Sequence, residues 1–358
     1  MVTNSSVPSA APDIAPGTGT IRAGVIGYGL SGRVFHAPFL AENPDFSLDV
    51  IVTGDPERRA SALASYPQVE VLATVEELFD RDDLDLVVIG SPPASHVALA
   101  HAALDAGFGV VVDKPVAASA REGWELVERA RSLGLPLTVF QNRRWDGDFL
   151  TLQSLLAEGA LGEVHTFESR FESFRPGPPR SWKAQATPAQ GGGILFDLGA
   201  HLIDQAVRLF GPVDDVHAEV ATRRAGGTAD DDTFVSLRHG SGVRSHLWMS
   251  SFAAQVGPRF RVLGSAAAFV KWGLDGQEAS IQAGRRPGEA DFGLEPEENW
   301  GTLGVDGATR TVPTERGRYA GFYAELAHSM LTGAPVPVDA ADAVRTIELI
   351  ERIHAQRA

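Results

Sequence analysis

IRAGVIGYGLSG, residues 21–32, decides how this chain folds. IRAGVIG is almost continuously apolar, as a strand covered on both faces requires. Gly27-Tyr28-Gly29-Leu30-Ser31-Gly32 then forms a G-x-G-x-x-G turn opening onto a helical stretch that reaches about Leu40. Strand, glycine-rich turn and helix in that order make a dinucleotide fingerprint. Glycines let the chain turn tightly and let a pyrophosphate approach the free N–H groups at the helix start.

The alternation continues outward from this turn. SLDVIVT (47–53), LDLVVIG (84–90), FGVVVD (108–113) and LPLTVF (135–140) predict strands. Residues 56–66, 94–107 and about 119–133 predict the helices between them. Val- and Ile-rich strands separated by helices imply a doubly wound parallel α/β sheet, a Rossmann domain over 21–140.

From 141 to 358 the pattern changes to α+β. Arg144, Trp145 and Asp146 lead into a helix at 147–157. Strand-like segments follow at 163–173, 214–224, 232–240, 243–251 and 259–265, with His239–Gly242 as the clearest hairpin turn. Such runs predict an open, mostly antiparallel sheet with helices. Residues 284–318, rich in Gly, Pro and acids, read as a long excursion. Residues 338–356 read as an amphipathic helix packed down on Val344, Ile347, Ile350 and Ile353. An open sheet face predicts a homodimer or homotetramer.

The formal charge is -15, which disfavours nucleic acid and anionic membrane and leaves small molecules and further copies of the chain as partners. With no cysteine, disulfides, thiolate metal sites and cysteine nucleophiles drop out. No apolar run approaches the ~20 residues of a membrane span. Residues 1–20 lack the basic start and apolar core of a signal peptide and are rich in Pro, Ser, Ala and Thr. They read as a disordered leader on a cytoplasmic protein.

Lys114 is one of three lysines among thirty-one basic residues. It ends an apolar strand, where ligands bind in open parallel sheets, and Pro115 restricts its backbone so that the side chain is aimed. Ser91 and Pro92 stand at the end of the preceding strand. Thr53 and Arg58, at and just after the second strand's tip, suit a 2′-phosphate and favour NADP over NAD. Asp55 argues the other way, or residues 55–59 are simply a capped helix start. Downstream of Gly191–Gly193, Asp197 and His201 are four apart and face one side of a helix, where a carboxylate supports a proton-exchanging imidazole. Asp204 follows on the same helix, but a metal site is not expected.

Gly27–Gly32, Ser91-Pro92-Pro93-x-x-His96, Asp113-Lys114-Pro115 and Asp197-Leu198-Gly199-Ala200-His201 occur in that order. Together they resemble the glucose–fructose oxidoreductase and inositol dehydrogenase (Gfo/Idh/MocA) family from about residue 21 to the C-terminus. GYGLSGRVFHAPF, NRRWDGDFLTL and GGGILFDLGAHLIDQAVRLFG resemble the branch holding NADP-dependent scyllo-inositol dehydrogenases. Asp113 stands where the family usually has Glu, and Gln141 where the branch often has His.

The resemblance implies hydride transfer between a nicotinamide and a ring carbon of a cyclitol or sugar, and a cis bond before Pro115. It makes Lys114 catalytic, His201 the acid/base, and Asp197 its partner or a substrate ligand. Asp113 and Lys114 then border the cofactor, with His96 near the nicotinamide. Arg144 and Trp145 are expected as one wall of a polyol pocket, and Trp182 and Lys183 in a covering loop. Other readings are a non-catalytic NAD(P)-binding sensor, or redox-assisted sugar chemistry on a tightly held cofactor.

Overall fold

The computed structural model describes residues 19–177, 186–187 and 191–356. Trp182 and Lys183 lie outside them, as do residues 1–18 of the expected leader. Six parallel strands form the first sheet: β1 (Ile21–Ile26), β2 (Phe46–Val52), β3 (Glu70–Leu72), β4 (Leu86–Ile89), β5 (Gly109–Asp113) and β6 (Leu137–Phe140). Their order is β3-β2-β1-β4-β5-β6, so strand order reverses between β1 and β4 and a ligand crevice opens beyond their carboxyl ends. Helices α1 (Ala37–Glu42), α2 (Pro56–Ser65), α3 (Glu76–Phe79), α4 (His96–Asp105) and α5 (Ala120–Leu133) connect them. Val87, Val88, Val111 and Val112 are wholly buried, as strands covered on both faces must be. β3 leaves no sequence pattern because only Val71 of its three residues is buried.

After α6 (Gly147–Ala157) comes β7 (Val164–Glu172), and α7 (Ala200–Phe210) follows it. Then come β8 (Val213–Ala221), β9 (Asp232–His239), β10 (Arg244–Ser250), β11 (Phe260–Gly264) and β12 (Ala268–Lys271). Together with β13 (Gly301–Val305) and β14 (Ala308–Val312) these strands form an eight-stranded sheet in the order β14-β13-β12-β11-β7-β10-β9-β8. Every pairing in it is antiparallel except β7 with β10. The His239–Gly242 turn joins β9 to β10, with Gly242 at φ 88°.

The 284–318 excursion therefore contains a hairpin, turning at Gly307 with φ 80°. Four of the five β14 residues are exposed, so no buried stripe marks that edge strand. Beyond α8 (Gln277–Gln282) and this hairpin, α9 (Ala320–Thr332) and α10 (Ala340–Ala355) return to the first sheet's helical layer. Val344, Ile347, Ile350 and Ile353 of α10 are buried as the periodicity predicts. Val344 fits against Gly123 of α5, where an added Cβ would come within 2.7 Å of it. Trp124 Nε1 donates to Glu348 at 2.7 Å and anchors the same contact.

Candidate active site

The glycine turn leaves β1 and enters a helix whose early turn, Gly32–His36, is π-helical before α1 continues it. Gly27, at φ 95°, lies so close to the end of β4 that a Cβ would sit 3.0 Å from the Gly90 carbonyl. At Gly32 a Cβ would fall 2.0 Å from Gly27 O. Gly29 is different: the nearest atom to a Cβ there is Arg58 Nη1, at 3.7 Å. The turn thus offers an open backbone surface with a guanidinium beside it, which suits a dinucleotide's phosphates. Tyr28 points inward and burial raises its phenol pKa, so only its backbone faces that surface. Leu30 is 54% exposed at the rim.

Residues 55–59 form the capped helix start that the sequence offers as one reading. Asp55 caps α2 through the Glu57 and Arg58 N–H groups at 2.9 and 3.1 Å. Its carboxylate also lies 3.5 Å from Arg58 Nε, while Arg58 reaches towards Gly29. Thr53 is buried at the tip of β2, with its hydroxyl accepting weakly from the Asp55 N–H at 3.4 Å.

Asp113 ties this turn to Lys114. Ser31 Oγ donates to Asp113 Oδ2 at 2.5 Å, and Asp113 Oδ1 accepts the Lys114 N–H at 2.8 Å. The Lys114–Pro115 bond is cis. Lys114 Nζ lies 3.0 Å from Asp197 Oδ1 and also donates to the Asp197 main-chain carbonyl. These side chains are 13% and 33% exposed, so the pair is shielded yet reachable. It bridges the carboxyl end of the first sheet to the helix start that precedes α7.

That helix start is also π-helical, over Leu195–Gly199, with the Ala200 N–H donating to the Leu195 carbonyl. π-turns of this kind occur frequently at functional sites. His201 sits just beyond the widened turn, buried, with its ring edge-on to Phe171 at 6.4 Å between centroids. The structure therefore brings Lys114 and Asp197 into contact and sets His201 one turn along.

Three expected site residues serve the framework. His96 is buried, and its two ring nitrogens lie 2.8 Å from the Pro115 and Ser91 carbonyls, so it staples the ends of β4 and β5 from beneath. Ser91 pairs with Ser95 and Pro92 stays exposed at the crevice mouth. Trp145 is no pocket wall: it is 5% exposed, crosses Phe322 edge-on, and donates from Nε1 to Glu325. Arg144 is engaged as well, with Nε and Nη2 on Asp204 at 2.8 and 2.6 Å. Burial works against its charge, and Asp204 outweighs it and raises the pKa. Asp204 is thereby taken out of any metal set, and among the described residues no three His, Cys, Asp or Glu could hold a metal ion.

Arg144→Ala would strand a buried carboxylate on α7. We expect a loss of about 3–5 kcal/mol, the usual cost of breaking one partner out of a buried pair. Equilibrium denaturation measures this, and a change under 1 kcal/mol would contradict the bracing role.

Other supports of α7 escaped sequence reading. Arg259 is buried, its Nη2 donates to Gln205 at 2.7 Å, and its guanidinium stacks 4.2 Å from the Phe171 ring centre. Gln205 Nε2 in turn donates to the Arg143 carbonyl at 2.8 Å. Asp230 is buried at the start of the Asp197 helix, where burial raises its pKa and the Leu195 N–H opposes that rise. Partners lie 35 to 62 residues apart along the chain in the Asp230–Leu195, Arg259–Gln205 and Gln205–Arg143 contacts, so no local spacing announces them.

This fold and site define a two-domain, NAD(P)-binding oxidoreductase. Residues 21–141 match the oxidoreductase family with an NAD-binding Rossmann fold, and 149–270 match the GFO/IDH/MocA C-terminal domain. The chain belongs to the Gfo/Idh/MocA family of oxidoreductases. It is 35% identical over 336 residues to scyllo-inositol 2-dehydrogenase (NADP(+)) IolW of Bacillus subtilis, covering 93% of this chain and 92% of that one. The uncharacterized oxidoreductase YdgJ of Escherichia coli is 40% identical over 334 residues, covering 92% and 94%. Among solved structures, yvaA of Bacillus subtilis superposes with TM-score 0.89 at 34% identity, covering 95% and 96%. An oxidoreductase from Bacillus cereus gives 0.86 at 29%, covering 94% and 96%.

Proposed function

We propose that this enzyme oxidises a ring hydroxyl of a cyclitol or sugar, with scyllo-inositol and NADP as the favoured pair. The observation that carries the reading is Lys114 held on Asp197 beside the glycine turn. A bound nicotinamide supplies the hydride acceptor, or the donor in reverse. Lys114 places a positive charge where the hydroxyl oxygen becomes an alkoxide, and Asp197 orients that charge. His201 takes the hydroxyl proton. Fixed charge at the oxygen and alignment of the reacting carbons supply most of the rate in such a site.

The NADP preference rests on Arg58 beside Gly29, on the neutral Thr53 at the β2 tip, and on the NADP-linked activity of the Bacillus subtilis relative IolW. Arg58→Ser should cut the NADP-over-NAD preference in kcat/KM about tenfold, since a charge-assisted hydrogen bond contributes about 1.5–3 kcal/mol and this one is half exposed. An unchanged ratio would remove Arg58 from the phosphate site. The substrate reading is tested by following reduced-cofactor absorbance with NADP or NAD against a panel of inositols and hexoses. Turnover confined to acyclic substrates would overturn it.

We also expect the enzyme to work in the cytoplasm as a homo-oligomer packed on the outer face of the second sheet. Phe234 and Trp248 present aromatic surface there, 5.0 Å between ring centres, with Arg170 over Trp248 at 3.9 Å. Glu168 alongside accepts from both Arg170 and Arg261. Such mixed charge suits a two-fold contact with a second copy.

A further inference from the structure

We propose that Asp230 is a positioning residue for Lys114, acting through the first turn of the helix that carries Asp197. Its carboxylate and its backbone both serve that turn. Asp230 Oδ2 accepts the Leu195 N–H at 2.8 Å, and the Asp230 carbonyl accepts the Ile194 N–H at 2.9 Å. Thr233 Oγ1 donates to the same Oδ2 at 3.1 Å and fixes the carboxylate's rotation. Gly193 closes the arrangement. It adopts φ 95°, and a Cβ on it would lie 2.0 Å from Asp230 Oδ1, so only glycine lets the chain pass this close.

From this clamp the path to Lys114 is short. The Asp197 N–H donates to the Gly193 carbonyl at 3.1 Å, and Asp197 then offers both its carboxylate and its carbonyl to Lys114 Nζ. A first helical turn has N–H groups with no intrahelical acceptor, and a buried turn cannot turn to water for them. Asp230 is 3% exposed, so its loss leaves the Leu195 N–H without an acceptor and frees the π-turn to relax. Lys114 then loses a fixed seat, although no residue touching it has changed. A carboxylate here also complements the positive end of the helix.

This inference rests on the proposed function only in taking Lys114 as the charge beside the reacting oxygen, so its test does not depend on turnover. Only three lysines are present, and a limited reaction with acetic anhydride, followed by peptide mass spectrometry, reads each of them. Lys271 is buried on Glu295 and serves as the internal reference. In Asp230→Ala, Lys114 should acetylate at least fivefold faster than in the wild type, with Lys271 unchanged. Asp230→Asn keeps an oxygen acceptor for Leu195 and should stay within twofold of the wild type. Wherever a substrate is turned over, Asp230→Ala should lower kcat and shift its pH profile while leaving the cofactor Kd alone.

Equal Lys114 rates in folded Asp230→Ala and wild type would overturn the proposal. So would a parallel rise at Lys271, or an Asn variant as reactive as the Ala variant. If Asp230→Ala does not fold, Thr233→Val replaces it. Faster acetylation of Lys114 alone is then expected, and equal rates overturn the proposal. Absence of turnover in the wild type would count against the proposed substrate, and the acetylation result would still decide the role of Asp230.

Discussion

Lys114→Ala should lower kcat by about 10²–10³, the range seen when one preorganised donor to a developing oxyanion is removed. The cofactor Kd should stay within a few-fold, because the proposed site assigns most of the dinucleotide's contacts to the glycine turn and Arg58 rather than to the lysine ammonium. Folding stability should change little: Asp197 is 33% exposed, so water solvates its carboxylate once the ammonium is gone. The change therefore separates chemistry from binding. Steady-state kinetics with a fluorescence titration of reduced cofactor measures both quantities. Turnover within fivefold of the wild type would remove Lys114 from the reaction, and a matching loss of cofactor affinity would recast it as a binding residue.

Gly32→Ala should weaken cofactor binding at least 100-fold, about 2.7 kcal/mol. Its methyl would fall 2.0 Å from Gly27 O, and neither backbone can yield without moving the turn. Gly27 cannot retreat, since it already abuts the end of β4. Gly54→Ala is the matched control: a Cβ there meets only Ala73 O at 3.7 Å, an ordinary contact, and binding should be unchanged. Calorimetric titration with NADP and NAD decides the matter. Wild-type affinity in Gly32→Ala would show that the turn does not seat the cofactor.

The sequence carried the first sheet well because each of its longer strands is covered on both faces and reads as a near-continuous apolar run. β3 and β14 left weaker traces: one buries a single residue and the other lies exposed at a sheet edge. Motif residues were legible wherever chemistry and backbone geometry coincide, as at Gly27, Gly32, Lys114 and Asp197. Arg144 and Trp145 misled because a forked donor and an aromatic face suit a polyol pocket and a buried brace equally well. Only the bidentate contact with Asp204, and the indole's contacts with Phe322 and Glu325, separate the two. The π-turns at Gly32–His36 and Leu195–Gly199 have no residue signature, since one extra residue in a turn is a property of packing. Asp230 stands in none of the motifs the sequence shows, and its proposed role depends on a glycine 37 positions earlier in the chain.

The proposed reaction is direct hydride transfer from a cyclitol ring carbon to a nicotinamide at Lys114. The measurement that tests it most directly is single-turnover incubation with scyllo-inositol deuterated on its ring carbons and NADP, followed by mass spectrometry of the reduced cofactor. Deuterium in the NADPH, appearing about 10²–10³ times more slowly with Lys114→Ala than with the wild type, is the predicted result. Reduced cofactor without deuterium, or label appearing at the wild-type rate in the variant, would contradict it.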